Sequence, residues 1–160
     1  MKHTTSKTAQ QRNAKGCSRK EYAEAKGIPL DFLKTLGLSN SSSNGVRTLA
    51  IPYYNMDGNI INTRYRTALK GTGELLLAKE AEVVPYGLWK LTEAKEAGYV
   101  VIVEGEGDCH TLWYKKFPAI GIPGPKTWQK DWESRYLADI PTIYVVIHPD
   151  HGEDDLLAGC

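Results

Sequence analysis

The chain has 160 residues, 41% hydrophobic and 24% charged, with a formal net charge of +1. That length suits about one domain or one and a half with a real core, no apolar run approaches the ~18 residues of a membrane helix, and the polar N-terminus has no secretory h-region. Three cysteines, Cys17, Cys109 and Cys160, share no close spacing, so neither a disulfide framework nor a zinc knuckle is expected, and a reducing cytoplasm is the expected compartment.

The near-neutral total hides an asymmetry. Residues 1–79 hold 13 Lys or Arg against 5 Asp or Glu, whereas residues 80–160 hold 7 against 14. A basic half beside an acidic half is common in nucleic-acid enzymes, where one part attracts phosphate and the other gathers metal. Chance clustering of surface charge is the competing explanation.

Residues 1–16 are polar, basic and aperiodic, which predicts a disordered tail. "SRKE" at Ser18–Glu21 is a capping box before a short helix that stops at Gly27. Pro29 opens a second helix with Leu30, Phe32, Leu33 and Leu36 apolar and Gly37 as its stop. The pair reads as a helical hairpin packed on a sheet domain, with a helix-turn-helix as the alternative. "SNSSSNG" (39–45) reads as a flexible linker or long loop.

Next comes a β-hairpin. Two runs rich in β-branched and aromatic residues flank Asn55-Met56-Asp57-Gly58, and Arg64 and Arg66 alternate on one face of its second strand. "KGTGE" (70–74) turns the chain, "LLLAK" reads as a third strand, and a helix over 88–97 is closed by Gly98. From Tyr99 the pattern becomes strand (99–104), helix (about 107–116), strand (118–122), helix (near 128–138) and strand (142–148) ending at Pro149-Asp150. Apolar strands alternating with helices predict a parallel sheet covered on both faces, with ligands at the strands' carboxyl ends. Glu104, Asp108 and Asp150 fall there.

A carboxylate after a buried strand is costly unless it meets a cation or a partner. Gly105 and Gly107 leave space and let backbone approach a phosphate. Asp108 follows Glu104 by one helical turn, and Asp150 arrives from another strand. Such a trio suits Mg²⁺, or Mn²⁺, which activates a hydroxyl and neutralises phosphate charge. The alternative is that Glu104 and Asp108 merely complement the positive start of the next helix. The recurrence of the placement at Asp150 favours metal. His110 reads as a packed or solvated histidine, and His148 as either a metal ligand or a backbone-bonded strand end. Cys109 reads as core.

These residues resemble a known family. "VEGEGD" is similar to the first motif of the TOPRIM domain of bacterial primases, topoisomerases, OLD-type nucleases and recombination mediators. "VVIHPD" resembles its second motif, an Asp-x-Asp whose first acid is here His148. Upstream, "IPYYNMDGNIINTRYR", Lys79 and "YGLWKL" resemble the basic hairpin and connecting motifs of primases of phage and mobile-element primase-helicase type.

The resemblance implies an α/β fold: a TOPRIM-like parallel sheet flanked by helices, incomplete at its C-terminus, preceded by a small α+β hairpin subdomain. The expected domains are a tail (1–17), a helical hairpin and linker (18–45), a basic hairpin subdomain (46–97) and the TOPRIM domain (98–160). It further implies Glu104 as the catalytic carboxylate, Glu104, Asp108 and Asp150 as ligands of Mg²⁺ or Mn²⁺, and Arg64, Arg66 and Lys79 as phosphate contacts. The implied activity is that of a DNA primase, a nucleotidyltransferase that makes RNA primers on single-stranded DNA from ribonucleotides during replication, beside a replicative helicase. The alternatives are a TOPRIM nuclease and an inactive nucleic-acid-binding remnant, since His148 replaces an acid.

Overall fold

A computed structural model describes residues 16–69, 82–124 and 126–146. The N-terminal tail before Gly16, the strand expected at 75–79 with Lys79, and the segment with His148, Asp150 and His151 lie outside the described residues. The described chain divides into two compact units. One comprises 16–51 and 64–69, the other 52–63, 82–124 and 126–146, so the hairpin is shared between them.

In the first unit, α1 (Arg19–Lys26) begins with the expected capping box. The Ser18 hydroxyl accepts from the Glu21 N–H at 3.2 Å, and the Glu21 carboxylate accepts from the Ser18 N–H at 2.9 Å. These Ser18 bonds, ahead of Arg47, hold the Glu21 carboxyl below its usual range. Gly27 closes the helix at φ 65°. Helix α2 (Leu30–Thr35) follows, and Tyr22, Ala23, Ile28, Leu33 and Leu36 are buried.

Residues 39–45 do not form a linker. They make strand β1 (Ser39–Ser43) and a tight turn, pairing antiparallel with β2 (Val46–Tyr54) in the register Ser39↔Ala50 to Ser43↔Val46. Asn44 and Gly45 both take positive φ, 50° and 77°, which matches the right-handed twist of a two-residue hairpin. An all-polar strand has no alternation to betray it. Its pairing comes from backbone hydrogen bonds to β2, whose Leu49 and Ile51 are buried.

The next hairpin matches expectation. β3 (Ile60–Arg66) lies beside β2 in the order β1-β2-β3. At its turn the Asn55 side chain accepts from the N–H groups of Asp57 and Asn59 at 3.0 and 2.9 Å.

In the second unit, a 3₁₀ turn (Leu88–Lys90) leads into α3 (Leu91–Ala97), closed by Gly98 at φ 79°. β4 (Tyr99–Glu104) is the central strand of a parallel sheet of order β5-β4-β6, with β5 (Ala119–Ile122) and β6 (Thr142–Val145) on either side. Helix α4 (Gly105–Tyr114) starts directly after β4, two residues earlier than its pattern suggested. Val100, Ile102, Val103, Cys109, Trp113, Ala119 and Ile120 form the core around β4.

Two expectations fail here. The helix expected near 128–138 is a five-residue π-helical turn (Glu133–Leu137), which with its neighbours buries Trp132, Tyr136 and Leu137. Among the described residues strand β6 is not covered on both faces: Ile143, Tyr144 and Val145 are exposed, and β4 is its one strand partner there. An apolar run reports β propensity, and it does not reveal which faces find a neighbour.

Candidate functional site

The carboxyl end of β4 delivers three acids in five residues, and the fold treats them differently. Glu104 is the N-cap of α4, in extended backbone (φ −85°, ψ 121°), yet its side chain makes no capping hydrogen bond. Asp108 lies one turn on. Both are half-buried, whereas Glu106 between them is only 3% exposed. Residues four apart share a helix face, and a residue two from each lies on the other side. Thus Asp108 and Glu106 lie on different sides of α4, with Glu106 toward the core, while Glu104 is the last residue of β4.

Backbone permits this crowding. Gly105 takes φ 76°, a left-handed conformation that lets the chain pass from strand to helix without a connecting loop. Opposite it, Gly121 on β5 leaves room for the turn. A Cβ on Gly121 would sit 2.6 Å from the Gly105 carbonyl oxygen and 3.1 Å from the Cys109 Sγ. Gly121→Ala is therefore expected to destabilise the chain by about 1–3 kcal/mol through overpacking, measured by urea denaturation. A cost below about 0.5 kcal/mol would show that the turn is loosely held.

The inner face of α4 is fastened by two tyrosines. The Tyr53 hydroxyl on β2 donates a short hydrogen bond to the Glu106 carboxylate. The Tyr86 hydroxyl and His110 Nε2 are hydrogen-bonded at 2.8 Å. The Tyr53 and Tyr86 rings touch at 4.8 Å between centroids, and Tyr86 also packs on Trp89 and Trp113 at 5.2 and 5.3 Å. The backbone N–H and C=O of Tyr86 both pair with Gly121 at 2.8 Å. His110 is fully buried, in line with its reading as a packed histidine.

Glu106 sits between the i, i+4 pair of the sequence motif, and its inward turn is seen only in the fold. Its placement two residues from both partners was the available signal. Tyr53 had no signal, since its partner is 53 residues away.

Cys109 is fully buried, as expected of core. Burial first, and then the carboxylates of Glu106 and Asp108, push its thiol well above the ordinary range. The thiolate, which is the reactive form, is thus suppressed, and the sign favours protection at every pH up to the normal thiol range. Iodoacetamide at pH 8 should leave Cys109 unmodified in the native chain and alkylate it in urea, as read by peptide mass spectrometry. Rapid native labelling would contradict the packing.

Arg64 and Arg66 belong to the first unit. Arg64 is only 6% exposed. Arg66 is half-buried. Its Nε and Nη2 donate to the carbonyls of Ala68 and Leu69 at 2.7 and 2.8 Å, and its guanidinium lies 5.6 Å from the Tyr22 ring centroid. Other N–H donors of its five are not used in those two bonds.

Glu104 and Asp108 supply hard oxygen donors, the kind that Mg²⁺ or Mn²⁺ takes. Among the described residues no group of three or more His, Cys, Asp or Glu side chains converges, and Asp150 lies outside them. No helix of the described residues is long and apolar enough to cross a membrane.

The chain matches no protein-family profile and no curated protein sequence. Its fold does match solved structures. A DnaG primase catalytic domain bound to ssDNA aligns with a TM-score of 0.68 at 15% identity, over 86% of this chain and 56% of that one. The zinc-binding and RNA polymerase domains of Aquifex aeolicus primase align at 0.61 and 16%, over 79% and 41%. The primase fragment of the bacteriophage T7 primase-helicase protein aligns at 0.63 and 17%, over 99% and 67%. The chain therefore spans about half the length of the first two. Its fold is the mixed α/β fold of primase catalytic cores, with the parallel sheet and flanking helices expected of it.

Proposed function

We propose, from this shared fold and the carboxylates at the end of its central strand, that the chain carries a primase-type catalytic core. It would join ribonucleotides on a single-stranded DNA template during replication. The observation that carries the reading is Glu104, which ends β4 as a half-buried carboxylate without capping the helix, with Asp108 one turn beyond it.

In this reading Glu104, Asp108 and Asp150 hold Mg²⁺ or Mn²⁺, and Glu104 is the catalytic carboxylate. The ion, when bound, would neutralise phosphate charge and activate a hydroxyl. Arg66 and Lys79 contact template or nucleotide phosphates, Arg66 through N–H groups beyond the two already engaged. Arg64, on the same strand, takes the same phosphate-contacting role. The partners are single-stranded DNA, ribonucleotides and a replicative helicase. Positioning and charge neutralisation supply most of the rate, because phosphoryl transfer leaves little covalent work to the protein.

The test is to incubate the full chain with an end-labelled single-stranded template, ribonucleotides and Mg²⁺ or Mn²⁺. Short RNA products support the reading. Shortening of the template without nucleotides would favour a nuclease. Salt-sensitive binding without either product would mark a nucleic-acid-binding protein without catalysis.

A further inference from the structure

We propose that Tyr53 and Tyr86 act as a paired clamp that sets the rotation of α4 and so aims Asp108 toward Glu104 at the end of β4. The inference rests on the metal-holding role given to those carboxylates under the proposed function. It concerns residues that neither touch the metal nor the nucleotide.

Glu106 and His110 are four residues apart, hence on one face of α4. Each is taken by a tyrosine hydroxyl, and the two tyrosine rings are in contact. Two attachments one turn apart fix a helix against rotation about its axis, where one would leave a pivot. The attachments also arrive from different parts of the second unit. Tyr53 comes from strand β2, while Tyr86 is pinned through its own backbone to Gly121 on β5.

The opposite face then has a determined direction. A rotation of about 20° moves a carboxylate about 6 Å from the helix axis by about 2 Å. Metal–oxygen distances tolerate only about ±0.2 Å. Loss of one attachment should therefore be felt at the metal before it is felt by the fold.

A buried carboxylate so close to the metal-binding pair could instead be a ligand itself. The structure argues otherwise. Glu106 is 3% exposed and bonded to Tyr53, whereas its neighbours are half-open. The two roles separate experimentally, because a glutamine carbonyl still accepts from a tyrosine hydroxyl but is a poor substitute for an ionised ligand.

Mn²⁺ binding to the full chain, read by calorimetry and by the EPR signal of free Mn²⁺, tests the clamp independently of activity. Tyr53→Phe keeps the ring and loses the hydroxyl, and is expected to weaken Mn²⁺ binding about 10-fold, the scale of losing a group that orients a ligand. Glu106→Gln should stay within about 3-fold of the native chain, while Glu104→Gln should lose binding outright. Melting in EDTA confirms that each variant is folded, and if Tyr53→Phe does not fold, Glu106→Gln decides.

Native binding with unchanged affinity in Tyr53→Phe overturns the clamp and leaves the metal site standing. Loss in Glu106→Gln equal to that in Glu104→Gln makes Glu106 a ligand and overturns it too. No binding by the native chain overturns the metal site, and the clamp's purpose with it.

Discussion

Glu104→Gln is expected to lower primer synthesis by at least about 100-fold while leaving the fold intact. Groups that only orient a metal ligand are worth about 10–100-fold, so a ligand carboxylate should cost more. The stability side has the opposite expectation. Glu104 is half-buried and makes no side-chain capping bond to α4, and glutamine keeps its size and shape. Without metal, Glu104, Glu106 and Asp108 crowd like charges onto one turn. Neutralising one of them should change stability by less than about 0.5 kcal/mol, or raise it slightly. Primer yield on a sequencing gel and melting in EDTA check the two halves. A variant that makes primers at the native rate removes Glu104 from the chemistry. One that unfolds would show that the residue is structural after all.

The second large effect falls on stability. Tyr86→Ala is expected to destabilise the second unit by about 3–5 kcal/mol, the range for truncating a buried aromatic. Tyr86 is fully buried and touches the rings of Tyr53, Trp89, His110 and Trp113. It also shares a hydrogen bond with His110 inside the core, and loss of that bond from a buried polar group costs about 1–3 kcal/mol by itself. Against a typical total of about 5–15 kcal/mol, this is a large fraction. Tyr86→Phe, which removes only the hydroxyl, should cost the smaller amount. Urea denaturation of both variants measures the difference. If Tyr86→Ala costs under about 1 kcal/mol, the aromatic cluster does not hold α4 to the sheet.

These two residues also differ in how visible they are in the sequence. Glu104 is conspicuous, because an apolar β-branched run ending in a carboxylate and two glycines is rare without a reason. Tyr86 is an ordinary tyrosine in "YGLWKL" until the fold surrounds it. The capping box at Ser18–Glu21, the Asn55–Gly58 turn and the parallel strands β4 and β5 were legible for a shared cause: each depends on residues close in sequence, or on a period of the chain itself. Strand β1 escaped notice because its five polar residues have no period. The π-helical turn at Glu133–Leu137 escaped notice because the chain's pattern there is ordinary helix.

By itself the sequence determined the order of elements around β4, the strand-to-helix passage right after Glu104, and the burial of Cys109. All three follow from periodicity and local backbone chemistry, which act over a few residues. Only the tertiary structure decided that Glu106 turns inward to Tyr53, that His110 meets Tyr86, that Arg64 is buried and that β6 stays exposed. Those outcomes depend on which surfaces meet across tens of residues, and side-chain contacts at such range leave no trace in local spacing.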